Sequence, residues 1–207
     1  MSQQLTPYQL GIIYSIGSIV DYRWVFRHCD RYFLEQINFC NSIYKQIVKR
    51  NNRNKDNNNN NNNNNIQYVL KMPEEVIDLS EYNWTNRNSN QRDIPILNSE
   101  NEYKDFMRAY IEIHGRLDWR SVISHGKIYK GLRLRIYGNR IMMESVSKLL
   151  NEYIGVGIKK VSMAVNEKTG ILYYQGKKEI RMICEWCDSM GGNRCVEYWD
   201  RFDEMMR

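Results

Sequence analysis

Residues 106–117 read FMRAYIEIHGRL, and residues 8–19 read YQLGIIYSIGSI. Each stretch carries apolar residues at helical spacing and reaches a glycine, so the pattern predicts helices over 101–115 and 7–17. A glycine just past a helix commonly adopts the left-handed conformation that ends it. We therefore expect Gly17 and Gly115 to be left-handed caps.

A hairpin, a helix and further strands are predicted after each of these helices. In the second half, segments 117–123 and 130–137 form a hairpin whose second arm places arginines on one face and leucines on the other. In the first half, the arm 22–28 alternates in the same way, but the space between Gly17 and Asp30 leaves room only for a short hairpin.

The same order continues in both halves. An amphipathic helix, then strands, then a closing helix are predicted; the helices cover 31–49, 74–82, 140–153 and 178–188, and the strands cover 66–71, 159–165 and 171–175. The asparagine-rich segment 51–65 cannot bury apolar surface and is predicted to be a flexible surface loop. The fold class is therefore α+β, with two αββαββα repeats over residues 1–98 and 99–207.

Charge is unevenly distributed in this chain of 207 residues and formal net charge +6. Residues 116–135 hold six basic residues against one acid, and residues 159–181 form a second basic cluster. Segregated positive charge indicates a polyanionic partner. No apolar run approaches the roughly 18 residues that a membrane span needs, and no leader is recognised, so we expect no membrane partner and an intracellular protein of nuclear, organellar or viral origin.

The two helix sequences resemble the signature helices of LAGLIDADG homing endonucleases of the single-chain, two-repeat type. Further segments of the chain are similar to that family; they read HCDRYFLEQI at 28–37, DIP at 93–95, ILYYQG at 171–176 and CVEYWDRF at 195–202. The resemblance implies a monomer with an internal pseudo-dimer and a saddle-shaped antiparallel sheet. It also implies that the signature helices pack together at the repeat interface, at Gly11 and Ala109 with Gly17 and Gly115 at their ends.

Duplex DNA is the partner that the resemblance implies, bound along the saddle of strands. The residues expected to contact the groove or the phosphates are basic, and they are Arg23, Arg27, Arg116, Arg120, Lys127, Lys130, Arg133, Arg135, Lys159, Lys160, Lys168 and Lys177.

The catalytic positions of the family do not match in this chain. Members carry a carboxylate immediately before the terminal glycine of each signature helix, and the pair holds Mg²⁺, a cation that prefers oxygen ligands. The corresponding residues here are Ile16 and His114. We therefore expect no catalytic residues, no metal site and no cofactor, so that the chain binds DNA but has lost cleavage.

Three alternatives stay open. The first is an active Mg²⁺-dependent endonuclease whose metal ligands are displaced acids such as Glu112 or Asp21. The second is an RNA-binding intron maturase, since some family members bind structured RNA and that role does not require the carboxylates. The third is a protein-interaction module, which the truncated first hairpin favours.

Overall fold

A computed structural model describes residues 5–37, 48–52, 65–86, 90–124, 126–165, 168–188 and 192–207. The first half begins with a helix and continues through strands that surround a second, short helix. Its elements are α1 (Pro7–Ile16), β1 (Gly17–Val20), β2 (Arg23–His28), α2 (Arg31–Gln36), β3 (Val48–Asn52) and β4 (Asn65–Pro73).

The second half repeats this order, with longer helices and a longer first hairpin, and adds two helices. Its elements are α3 (Glu100–His114), β5 (Gly115–Ser124), β6 (Lys127–Gly138), α4 (Arg140–Ile154), β7 (Ser162–Met163), β8 (Gly170–Gln175), α5 (Lys177–Asp188) and α6 (Val196–Met206). The last of these, α6, was not anticipated as a helix from the sequence.

The strands form two antiparallel four-stranded sheets, in the orders β1-β2-β4-β3 and β5-β6-β8-β7. The predicted α+β class is confirmed. In β6 the leucine face is buried, because Leu132, Leu134 and Ile136 are at most 3% exposed. This face packs against the helices, and the opposite one is called here the outer face of the sheet.

Helices α1 and α3 pack against each other at the centre of the molecule. A Cβ atom added to Gly11 would lie 2.5 Å from the carbonyl oxygen of Phe106 and 2.8 Å from the Cβ atom of Ala109. The two backbones therefore touch at this point. Helix α1 is buried on nearly all sides, and its residues are correspondingly apolar all round, which is typical of a central helix.

The predicted left-handed caps at Gly17 and Gly115 are wrong. Both residues are extended, with φ angles of −76° and −85°, and each is the first residue of a strand. A lack of space for a side chain explains why the residue is glycine, because a Cβ atom on Gly17 would lie 2.5 Å from the carbonyl oxygen of Ile13. The chain leaves each signature helix by turning directly into the sheet.

The predicted helix over 31–49 is wrong at its end. Helix α2 ends at Gln36, and Val48–Asn52 is strand β3, paired with β4. The predicted loop 51–65 is also too long, since Asn51 and Asn52 lie in β3 and Asn65 lies in β4. The rest of that loop, 53–64, lies outside the described residues.

Two other predicted elements are shorter in the structure. Segment 74–82 is not a helix but two 3₁₀ turns, Glu74–Val76 and Ser80–Tyr82, because the indole of Trp24 takes the carbonyl groups of Glu74 and Ile77 as hydrogen-bond acceptors. The strand predicted over 159–165 is limited to Ser162–Met163. The backbone N–H of Lys159 instead donates to Ser147 in α4.

Candidate nucleic-acid interface

The ends of α1 and α3 lie side by side, where the resemblance places a metal-binding carboxylate on each helix. Ile16 is 3% exposed and its hydrocarbon side chain has no donor atom. The Nε2 atom of His114 donates to the carbonyl oxygen of Ser15 at 3.2 Å, and its ring packs on Tyr110. One helix end is therefore apolar, and the other hydrogen-bonds to its neighbour.

These side chains do not fit a Mg²⁺ ion. The ion needs several oxygen ligands, and an isoleucine with an imidazole offers none from its side chains. Among the described residues, no three His, Cys, Asp or Glu side chains are grouped to hold a metal ion. Cys184 and Cys187 are buried neighbours on one face of α5, and no third ligating side chain of the described residues is grouped with them.

Glu112 is a buried carboxylate, and both of its oxygens accept hydrogen bonds from neighbouring residues. It is 7% exposed and accepts hydrogen bonds from the Tyr8 hydroxyl and the Trp199 indole, both at 2.5 Å, and from the backbone N–H of Cys195 at 3.0 Å. Burial raises its pKa, and the three hydrogen bonds offset that rise only in part. Glu112 thus joins α1, α3 and α6 within the core.

A cleft of about 530 Å³ opens beside the helix ends. Cationic and neutral hydrogen-bond donors line it, among them Arg92, His114, Asn139, Lys168 and Thr169. Arg92 is 5% exposed, and its guanidinium donates to the carbonyl oxygen of Tyr14, in the last turn of α1, and to that of Thr85. No carboxylate lines the cleft among the described residues, so its chemistry suits an anion.

The outer face of the second sheet carries a cluster of arginines. Arg133 and Arg135 lie on β6, opposite Asp118 and Arg116 of β5. Arg116 is exposed, while Arg133 and Arg135 keep 24% and 20% of their side-chain surface. Like charges placed opposite each other, as in Arg116 and Arg135, cost stability unless an acid or a ligand compensates them.

Asp118 is the compensating acid. It accepts two hydrogen bonds from Arg133, at 3.0 and 3.3 Å, and another from Arg135. Burial alone would raise the pKa of Asp118, but the hydrogen bond from Arg133 and the charges of both arginines outweigh it and lower the pKa. The guanidinium groups also lie over the rings of Tyr173 and Tyr137. The arginines are therefore held in fixed positions on the face.

The β5–β6 hairpin extends beyond the rest of its sheet, since β8 pairs with β6 only from Arg133 onward. Its projecting part carries Arg120, Lys127 and Lys130, with Lys127 on the outer-face side and Lys130 on the other by strand alternation. The large apolar side chains of this arm are also exposed, and they are Trp119, Ile123, Ile128 and Tyr129.

The first sheet presents a smaller basic face. Arg23 and Arg27 are exposed on β2, and they share the outer face with Lys71 of β4, which pairs with Val25. Val25 and Val69 are also on this face but are only 4% and 3% exposed. Its hairpin is short because β1 has only four residues before the chain turns at Asp21 and Tyr22, both of which have positive φ.

Four predicted lysines lie apart from these faces. Lys159 pairs with Glu179 at 2.7 Å, and Lys177 donates to the carbonyl oxygen of Met206 and lies over the ring of Trp119. Lys160 is exposed in the segment before β7, and Lys168 lines the cleft beside His114. The structure therefore brings together the predicted residues on the outer face of β5 and β6, but neither these four lysines nor Lys130.

Sequence reasoning missed two residues of the outer faces, Lys71 and Tyr173, whereas the alternation along β6 already put Tyr137 on the face of Arg133 and Arg135. The signal for Lys71 was present, because Tyr68, Leu70 and Met72 alternate with Gln67, Val69 and Lys71 along β4. Tyr173 was noted only as part of a strand. Its place beneath Arg133 depends on the pairing of β8 with β6, which the sequence of one strand does not contain.

No described helix is both long and apolar enough to cross a membrane. No protein-family model and no curated protein sequence matches the chain.

Solved structures do match, over nearly the whole chain. The homing endonuclease I-LtrWI bound to target DNA has 11% identity and a TM-score of 0.57, with 97% of this chain and 89% of that chain covered. I-SmaMI bound to cleaved DNA has 11% identity and a TM-score of 0.55, with 98% and 88% covered. I-GzeII in complex with its DNA target has 12% identity and a TM-score of 0.53, with 97% and 88% covered. The chain therefore has the fold of the single-chain LAGLIDADG homing endonucleases.

Proposed function

We propose that this chain binds duplex DNA through the outer faces of its two sheets and does not cleave it. The observation that carries the proposal is the arginine cluster on β5 and β6, where Arg116 faces Arg135 and Asp118 is the one acid among the described residues that pairs with the cluster. Phosphates supply the missing negative charge, and guanine edges accept the bidentate hydrogen bonds that arginine offers. DNA-bound neighbours of the same fold support this choice of partner.

Loss of cleavage is proposed from the helix ends. Ile16 offers no ligand, and His114 hydrogen-bonds to the partner helix. The cleft beside them is lined by Arg92, His114 and Lys168, and these side chains suit a phosphate rather than a divalent cation. Of the displaced acids, Glu112 is buried with both oxygens hydrogen-bonded, and Asp21 lies in the exposed β1–β2 turn. The expected site residues that lie on the outer faces are thus binding residues, with the chain acting as a monomer of two repeats, 1–98 and 99–207.

Binding is tested by fluorescence anisotropy with a duplex of about 30 base pairs at several salt concentrations. If about six phosphates are neutralised, log K falls with log salt at a slope of roughly −5. A flat salt response, or no binding at low salt, contradicts the proposal and leaves the protein-interaction alternative. Competition by structured RNA that exceeds competition by duplex DNA would favour the maturase alternative.

Cleavage is tested separately, by incubating supercoiled plasmid that carries a selected binding site with Mg²⁺ or Mn²⁺. We expect no nicking above the level without metal. Site-specific nicking that Glu112→Gln abolishes would establish the displaced-ligand endonuclease instead. Size-exclusion chromatography with light scattering tests the monomer.

A further inference from the structure

A second cavity, of about 730 Å³, lies at the turn end of the first hairpin. Ile19 and Trp24, which pair across β1 and β2, line one wall. They are on the helix-facing side of the sheet, since Trp24 is 2% exposed and stacks on the buried Phe26. The cavity therefore opens on the side away from the outer face that is proposed to bind DNA.

The cavity has aromatic walls that are already in place. The rings of Trp24 and Trp84 meet edge to face at 4.7 Å between centroids, and Tyr22 beside them is 86% exposed. The indole N–H of Trp24 donates to the carbonyl oxygen of Glu74 at 3.1 Å, and the backbone N–H of Glu74 donates to the carbonyl oxygen of Tyr22 at 3.3 Å. These bonds fix the segment after β4 against the hairpin.

Three carboxylates also line the cavity: Glu74, Glu75 and Asp78. Within the described part of the chain, none of the three takes part in an ion pair. Asp78 accepts a hydrogen bond from the backbone N–H of Ser80, which lowers its pKa and keeps it ionised. The cavity is therefore negatively charged, although the chain as a whole is positively charged, and a cation is its complementary ligand.

The cavity also offers apolar surface beside the acids, from Ile19 and Leu79. A complementary ligand therefore needs a cation for the carboxylates and an apolar group next to it. A lysine or arginine beside an apolar residue in a polypeptide combines the two.

We propose that this cavity binds a basic segment of a partner protein, in which a lysine or arginine stands beside an apolar residue. The cation lies against Glu74, Glu75 and Asp78, where the faces of the nearby aromatic rings add cation–π attraction. The apolar neighbour fills the space between Ile19 and Leu79. Because the cavity and the outer face are on opposite sides of the first sheet, the peptide and DNA bind together.

The probe is the tripeptide Ac-Leu-Lys-Leu-NH₂, titrated into the full chain labelled with ¹⁵N. The chain has five tryptophans, whose indole N–H signals are resolved, and Trp84→Phe assigns the signal of interest. We expect saturable shifts of the Trp24 and Trp84 indole signals. Ac-Leu-Glu-Leu-NH₂ should give none, and the neutral analogue with norleucine for lysine should bind about tenfold more weakly. Equal binding of the neutral analogue, or of butylammonium alone, overturns the proposal.

The matched variants are Glu74→Gln with Glu75→Gln against Glu81→Gln, which changes an exposed acid of the same segment that does not line the cavity. The double variant should weaken tripeptide binding by about tenfold, and the control should change it less than twofold. Unchanged binding in a folded double variant overturns the proposal. DNA affinity, measured on the same samples, is expected to be the same in all of them, so failure of the peptide site is distinguished from failure of DNA binding.

Discussion

Asp118 lies directly opposite Arg133 in the β5–β6 ladder and accepts two hydrogen bonds from it, at 3.0 and 3.3 Å. The same carboxylate also binds Arg135, the next residue along that face. One acid therefore orients two arginines and offsets their repulsion from Arg116. A face built in this way remains ordered without a ligand and still has positive charge to offer.

Replacing Asp118 by asparagine has opposite expected effects on DNA binding and on stability. Asp118→Asn should tighten duplex DNA binding several-fold, because a negative charge leaves the binding face. It should also lower the free energy of unfolding by about 1–2 kcal/mol, because charge-assisted hydrogen bonds are lost. Anisotropy and urea denaturation measure the two effects. Asp200→Asn, an equal charge change on the exposed side of α6, is the control, and equal tightening in both variants contradicts a local role for Asp118.

Removing the two arginines tests the binding face directly. In Arg133→Ala with Arg135→Ala, the slope of log K against log salt should become less steep by about 2, because two phosphate contacts are lost. Lys178→Ala with Arg181→Ala removes the same charge from the exposed side of α5. That control should keep the full slope, and an equal loss in both variants would indicate only a general charge effect.

The contact between the signature helices is tested at Gly11. Alanine in place of glycine within a helix usually adds about 0.5–1 kcal/mol of stability. Gly11→Ala should instead remove about 2–3 kcal/mol, because the new methyl group meets the carbonyl group of Phe106 and the side chain of Ala109. Thermal and urea unfolding measure this loss of stability. In Gly157→Ala the nearest atom is 3.6 Å from the added Cβ, so stability should change by less than about 0.5 kcal/mol.

Glu112 gives the stability a pH dependence of known sign. Its pKa is raised from the ordinary value of 4.5 in the folded chain, so between these two pKa values the folded state binds more protons than the unfolded state. Stability therefore falls as the pH rises from 4.5 through the raised pKa. Glu112→Gln can still accept from Trp199 and Cys195, and it should lose this part of the pH dependence. Urea midpoints from pH 4.5 to 8 test it, and identical profiles would contradict it.

Elements with a strong local pattern were predicted from sequence. The alternation in β6 identified the arginine face, and the two apolar stretches that end at Gly17 and Gly115 identified the central helices. The prediction that those glycines are left-handed was wrong. A side chain is excluded at both positions because the preceding helical turn is too close, and not because φ is positive.

Contacts between distant segments account for the remaining errors. The carbonyl groups of Glu74 and Ile77 bond to Trp24, some fifty positions earlier, and this competes with the helix that their own sequence favours. Lys159 and Lys177 belong to a basic cluster in the sequence, but Glu179 and the end of α6 draw them to the helix side. Neither partner is evident from the spacing of charges alone.

The first hairpin, which turns at Asp21 and Tyr22 after the four residues of β1, limits how far the first repeat can reach. Strand β1 has four residues and β5 has ten, which correspond to about 14 Å and 34 Å of extended chain. Since successive base pairs are about 3.4 Å apart, these arms would span about four and ten base pairs. A recognised site would then be lopsided, with most of its informative positions on one flank, and mutations on the opposite flank would be tolerated.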